Sequence, residues 1–151
     1  MNTNIDTFHI IGISVRTSNE NGQAANDIPA LWNRFFEEDI PSKIQNKISE
    51  DLYCLYTDYE KDHTKPYTTL LGYKVKDLDA VPEGLTGATV SGKTFELVTA
   101  TGKLNEGAVF KAWTKIWNSS LDRAYSGDFE VYGPKSQDPE NAEVDIYIAL
   151  Q

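Results

Sequence analysis

The residues best suited to chemistry lie in the last quarter of the chain, residues 127–150, which read GDFEVYGPKSQDPENAEVDIYIAL. Two strand-like runs, 128–132 and 142–150, flank a loop rich in turn residues. Side chains alternate faces along a strand. Glu130 and Tyr132 therefore point one way, and Phe129 and Val131 the other. In the second run Val144, Ile146, Ile148 and Leu150 make an apolar face, and Asp145, Tyr147 and Ala149 the opposite one. A polar-aromatic face carrying a carboxylate is more than a core strand requires. Burying that carboxylate unpaired costs several kcal/mol and raises its pKa. It is stable there only with hydrogen-bond donors or a cation beside it. Aromatic faces attract cations by ~0.5–2 kcal/mol each. The pattern thus predicts Glu130 in an aromatic-lined cavity that accepts small cationic or polar molecules.

The walls must come from elsewhere in the chain. Trp113 and Trp117 share one stripe of a helix, with Trp32 in a similar setting on an earlier one. Core packing is the plain reading for all three, but the indole N–H of a buried tryptophan needs a partner. Tyr53, Tyr56, Tyr59, Tyr67 and Tyr73 fall in one hairpin. Tyr56 shares a face with Leu52, Cys54 and Asp58, while Tyr53 and Tyr59 take the other. Parity leaves open which face meets the cavity. Tyr132 and Tyr147 complete the candidate set. The acidic residues Asp58, Glu60, Asp62, Asp138, Glu140 and Glu143 lie in turn-like or edge segments and read as solvated surface.

Composition narrows the function. Aspartate and glutamate outnumber lysine and arginine 23 to 14, for a formal net charge of −9. Such a surface repels nucleic acid backbones and steers cations inward. The single cysteine, Cys54, excludes an internal disulfide and a cysteine-based zinc cluster. The two histidines, His9 and His63, have no metal-ligand spacing, so neither a metal nor a cofactor is expected. No secretory leader or membrane span is read in the chain, which predicts a cytoplasmic location. Nucleotide-binding loops and nucleophile elbows are missing from the motifs. Glu130 with a tyrosine could still run acid–base chemistry on a reactive substrate.

The elements that position these residues follow from the periodicity. Residues 8–17 are rich in β-branched side chains and form a strand. Asp27 and Pro29 open a helix to about Glu38, with Ile28, Leu31, Trp32 and Phe35 at helical spacing. A connector with a few possible helical turns spans 40–50. Residues 52–59 and 67–75 form a hairpin, and Gly72 inside the second strand marks a bulge or close backbone approach. Residues 76–91 are a linker, punctuated by Pro82, Gly84 and Gly87. A strand follows at 93–101. Asn105 then caps a helix over 106–118 with Val109, Trp113, Ile116 and Trp117 on one stripe, before the two closing strands. The order is β-α-β-β, linker, β-α-β-β, an α+β pattern with pseudo-two-fold symmetry. The strings ALWNRFF and KAWTKIW are its helical counterparts. Pairing the halves makes an antiparallel sheet with two main helices and a central ligand cleft.

The pieces LWNRFFEEDIP, LYCLYTDYEKDHTKPYTTLLGYKV, VPEGLTGATVSGKTFELVTATG, FKAWTKIWNSSL, GDFEVYG and EVDIYIAL, in this order, resemble the GyrI-like superfamily of AraC-type effector-binding domains, with a SOUL-like fold. The resemblance covers nearly the whole chain. It implies one domain over 1–151, with half-repeats at about 5–76 and 92–151 joined by a linker at about 77–91. Members of that superfamily serve bacterial transcription regulators as drug or metabolite sensors, or stand alone as binders such as gyrase inhibitors. The multidrug-sensing members bind lipophilic cations through an acidic residue within aromatic walls. Phe129-Glu130-Val131-Tyr132 matches their FExY-like motif, and Tyr147 matches the aromatic position of the closing strand. That strand departs in ending Ile148-Ala149-Leu150, where the family usually has a proline. The resemblance implies a stand-alone module for lipophilic organic cations, with Glu130 as counter-ion. Tyr147, Trp113, Trp117, Tyr132, Tyr56 and Trp32 would be its walls. Its role would be drug sequestration or regulation through a partner or homodimer, without direct contact to nucleic acid or membrane. The alternatives are a hydrolase of strained or electrophilic molecules using Glu130, and a gyrase-inhibitor-like protein-interaction module.

Overall fold

The computed structural model describes residues 2–151. Eight strands form one antiparallel sheet: β1 (Asn2–Ile5), β2 (Phe8–Thr17), β3 (Lys47–Thr57), β4 (Tyr67–Val75), β5 (Thr86–Val90), β6 (Lys93–Gly102), β7 (Asp128–Tyr132) and β8 (Ala142–Ala149). Their order across the sheet is β1-β6-β8-β7-β3-β4-β2-β5. Three helices accompany it: α1 (Gln23–Glu37), the short α2 (Ile40–Lys43) and α3 (Ala108–Trp117). The order β6-β8-β7 mirrors β2-β4-β3 about the central β7–β3 pair, which is the pseudo-two-fold expected. The expected linker is not structureless. It carries β5, which pairs with β2 of the first half, while the N-terminal β1 pairs with β6 of the second. Each half thus lends its leading strand to the outer edge of the other.

Both helix starts differ from expectation. Helix α1 begins four residues before Asp27, behind a turn at Glu20–Gly22, with left-handed Gly22 (φ 71°) as its N-cap. Pro29 consequently stands inside the helix rather than in its first turn. Proline has no N–H, so the helical bond to the Ala25 carbonyl cannot form. At α3, Asn105 lies in a turn at Leu104–Glu106, and Gly107 (φ 79°) caps the helix instead. Glycine takes this backbone without the Cβ clash that asparagine would meet.

Both faces of the sheet are buried. On one, α1 packs Leu31 and Phe35 over Ile11, Ile13, Cys54 and Leu71, and α3 packs Trp113 and Ile116 over Val144, Ile146 and Ile148. Tyr56 and Tyr132 contact both clusters, at the seam between the halves. The other face closes on Phe129, whose ring meets Phe8 of β2 at 5.1 Å and Phe95 of β6 at 5.4 Å. Strands β2 and β6 are not neighbours of β7, so the sheet must curl to bring these rings together.

The expected close approach at Gly72 is present. Gly72 pairs with Gly12, and a Cβ built on Gly72 would lie 2.1 Å from the Ile11 carbonyl oxygen. The obstruction is backbone, which cannot rotate away. Gly72→Ala is expected to cost about 2–3 kcal/mol, the upper range for overpacking, read as a lower urea midpoint with an unchanged slope. A loss under about 0.5 kcal/mol would mean that the two strands part freely.

Candidate ligand-binding site

Strand β7 places Asp128 and Glu130 on the helical face of the sheet, and both are buried (0% and 1% exposed). Glu130 Oε2 accepts hydrogen bonds from the Trp113 indole N–H at 2.6 Å and the Tyr56 hydroxyl at 2.8 Å. Its Oε1 accepts one from the Tyr132 hydroxyl at 2.6 Å. All three donors are neutral. Burial raises the Glu130 pKa, and the bonds from Tyr132, Trp113 and Tyr56 offset that only in part. Burial also pushes the Tyr56 and Tyr132 hydroxyls well above the usual tyrosine range, with the Glu130 charge adding to it, so both remain donors.

Asp128 is held differently. Its Oδ2 accepts from the Arg123 guanidinium at 2.7 Å and the Tyr59 hydroxyl at 2.7 Å, and Oδ1 accepts the Ala149 backbone N–H at 2.8 Å. One buried carboxylate is therefore neutralised by an arginine, and the other has no cation bonded to it.

A cavity of 560 Å³ opens beside these groups. Its volume lies in the range of small-molecule sites. The α1 end contributes Gly22, Ala24, Ala25, Ile28 and Pro29, and α3 contributes Phe110, Trp113 and Trp117. Tyr56, Tyr59, His63 and Tyr67 come from β3, β4 and the loop between them, with Asn19 and Arg123 completing the wall. Asn19 ties two of these segments: its amide donates to the His63 carbonyl at 2.9 Å and accepts from the Tyr67 hydroxyl at 2.6 Å. At the rim, the Trp117 ring stacks on His63 at 5.6 Å and meets the exposed Phe110 edge-on at 5.9 Å.

The sequence-derived candidates separate into three groups. Tyr56, Trp113 and Trp117 line the cavity. Glu130 lies behind the first two, Tyr132 holds its far oxygen, and Trp32 backs Tyr132 at 4.9 Å. Tyr147 is a correction. The β7–β8 register sets Phe129 opposite Tyr147 and Glu130 opposite Ile146. Tyr147 thus stands on the far face, stacked on Phe129 at 4.7 Å, and cannot wall a site around Glu130. The open question of the hairpin tyrosines is also settled: Tyr56 faces the cavity and Tyr53 stacks on Phe129 on the other side. Tyr59 reaches the cavity as well, because left-handed Asp58 (φ 50°) breaks the strand alternation before it.

Tyr67, one of the hairpin tyrosines whose facing was open, also lines the cavity, whereas Arg123, His63 and Phe110 were not foreseen as site residues. Arg123 sits in an irregular segment between α3 and β7, where periodicity has nothing to say. Its one legible signal is a basic side chain close in sequence to Asp128 and Glu130. No group of metal-ligating side chains exists among the described residues, and none of the helices there is long and apolar enough to cross a membrane.

Comparison with known proteins places this architecture. A family model described as integron-associated effector binding protein, Cass2, matches residues 3–150. YobU of Bacillus subtilis (strain 168), a candidate transcriptional regulator, is 28% identical over 99% of this chain and 96% of its own length. The integron cassette protein VCH_CASS2 of Vibrio cholerae is 28% identical, with TM-score 0.76 over 100% of this chain and 95% of that one. SAV2435, solved with tetraphenylphosphonium bound, shares the fold at TM-score 0.81 and 15% identity, over 100% and 93% of the two chains. With an eight-stranded sheet of this order, an aromatic cavity between its helices and a family match over nearly every residue, the chain belongs to the Cass2 family of integron-associated effector-binding proteins.

Proposed function

We propose that this protein binds lipophilic organic cations in the aromatic cavity, with Glu130 as the buried countercharge. The observation that carries the reading is the Glu130 carboxylate, enclosed by two phenols and an indole and bonded to no cation. Two of those donors, Tyr56 and Trp113, are also cavity wall, so a bound cation would face the carboxylate across their rings. The tetraphenylphosphonium held by SAV2435 on the same fold supports this ligand class. A sensor or sequestering module is the role that fits. The geometry lends less to hydrolysis, since a general base must reach the substrate proton and Glu130 is covered by its three donors.

The charge on Glu130 gives the test a sign. Its pKa is raised by folding, so its contribution to stability is present below the ordinary value of 4.5 and is lost as pH rises through the folded pKa. A cation prefers the ionised form. Affinity for tetraphenylphosphonium is therefore expected to fall about tenfold per pH unit below the folded pKa of Glu130, with up to one proton released on binding. Calorimetry in buffers of different ionisation enthalpy reads both. Glu130→Gln binding tetraphenylphosphonium as tightly as wild type, with no proton released by wild type anywhere through the Glu130 titration, would remove Glu130 from the site.

A further inference from the structure

Five buried side-chain polar atoms among the described residues lack a hydrogen-bond partner, and three belong to cavity-lining residues: Arg123 Nε, Arg123 Nη1 and His63 Nδ1. Arg123 is 6% exposed. Its Nη2 bonds to Asp128 at 2.7 Å, which neutralises the charge but uses only one corner of the guanidinium. The rest of the group lies against rings, with its central carbon 4.3 Å from the Tyr125 centroid and 5.9 Å from that of Trp113. Guanidinium N–H groups are donors only, and donors left buried and unpaired are rare in native proteins.

We propose that Arg123 and His63 form an acceptor-binding subsite in this cavity, so that the preferred ligand is a lipophilic cation carrying a neutral oxygen acceptor such as a ketone, ester or amide carbonyl. This deepens the cation reading and rests on it. Charge decides for a neutral oxygen over a carboxylate. Arg123 is already matched by Asp128, and a ligand cation would match Glu130, so a further anion would stand uncompensated in a low-dielectric site. His63 can serve as the second donor with its proton on Nδ1. Burial and the Arg123 charge lower its pKa against an opposing pull from Asp62, which keeps the ring neutral at physiological pH.

The test uses two tetraarylphosphonium ions of equal charge and nearly equal shape. One phenyl ring carries a 4-acetyl group in the first and a 4-isopropenyl group in the second. Tryptophan-fluorescence titration of the full chain is expected to show the acetyl compound binding about tenfold more tightly, about 1.4 kcal/mol. Without a donor in the cavity the carbonyl would lose its hydration for nothing, and the isopropenyl compound would bind better. Arg123→Lys keeps a charge beside Asp128 but removes the fork, and His63→Phe keeps the stack on Trp117 but removes Nδ1. Each is expected to shrink the preference at least threefold. The ratio in wild type and in His63→Phe decides the matter even if Arg123→Lys fails to fold. Equal binding of both ions, or a preference unmoved by His63→Phe and Arg123→Lys, overturns the subsite and leaves the cation site standing. Binding of neither ion overturns the cation reading, and this one with it.

Discussion

Asp128→Ala is expected to lower the stability of the protein by about 3–5 kcal/mol, the cost of stranding one member of a buried ion pair. Three donors lose their acceptor at once: the Arg123 guanidinium, the Tyr59 hydroxyl and the Ala149 backbone N–H. Arg123 cannot shed its proton, and its side chain is 4% exposed, so water does not replace the carboxylate without local opening. In a chain of this size each kcal/mol is worth about 2–4 °C in Tm, so a fall of roughly 6–20 °C is expected in a thermal melt. The contrast is Lys135, whose ammonium lies 3.2 Å from Asp145 but is 56% exposed. Lys135→Ala is expected to change stability by about 0–1 kcal/mol. Equal losses from the two substitutions would show that the Arg123–Asp128 pair is solvated in solution.

Glu130 is expected to behave in the opposite way, sacrificing binding without loss of stability. In Glu130→Gln the amide oxygen can take the place of Oε2, where both Trp113 and Tyr56 donate. The amide NH₂ then meets Tyr132, whose hydroxyl can turn to accept. Trp113 and Tyr56 stay paired and a buried charge is removed, which offsets the acceptor lost to the Tyr132 O–H, so the Tm of the free protein should hold or rise. The ligand loses its counter-ion. A cation about 6 Å from a carboxylate at an effective dielectric of about 20 gains roughly 3 kcal/mol, so affinity should drop up to about a hundredfold. Glu130→Ala strands the Trp113 N–H and leaves a cavity, and is expected to lose stability as well. The pair of substitutions separates the charge from the packing.

Local pattern carried much of this structure. Strands β2 and β4 run over the residues that the sequence pattern marks, 8–17 and 67–75, and the need of a buried Trp113 indole N–H for a partner was legible from residue type. What local pattern could not supply was the pairing of distant segments. Alternation assigns Tyr147 a face within β8, but only the register against Phe129 says that this face is turned away from Glu130. Strand β5 was hidden because Gly87 and Ala88 look like linker, and its pairing with β2 is a long-range event. Tyr59 was misplaced by one residue, Asp58, whose left-handed backbone ends the alternation. Pro29 looked like a helix start because it usually is one. The fold starts the helix earlier, at Gln23, and forgoes the helical bond that the Pro29 nitrogen cannot donate.

The measurement that bears most directly on the site is a tryptophan-fluorescence titration with tetraphenylphosphonium and the neutral hydrocarbon triphenylmethane, on wild type and Glu130→Gln. Trp113 and Trp117 are in the wall and report occupancy without a label. Saturable quenching by the cation alone, weakened at least tenfold in a Glu130→Gln protein that still melts at or above the wild-type temperature, is the expected result. Equal binding of cation and hydrocarbon, or a Glu130→Gln protein that binds the cation as tightly as wild type, would contradict Glu130 as the countercharge.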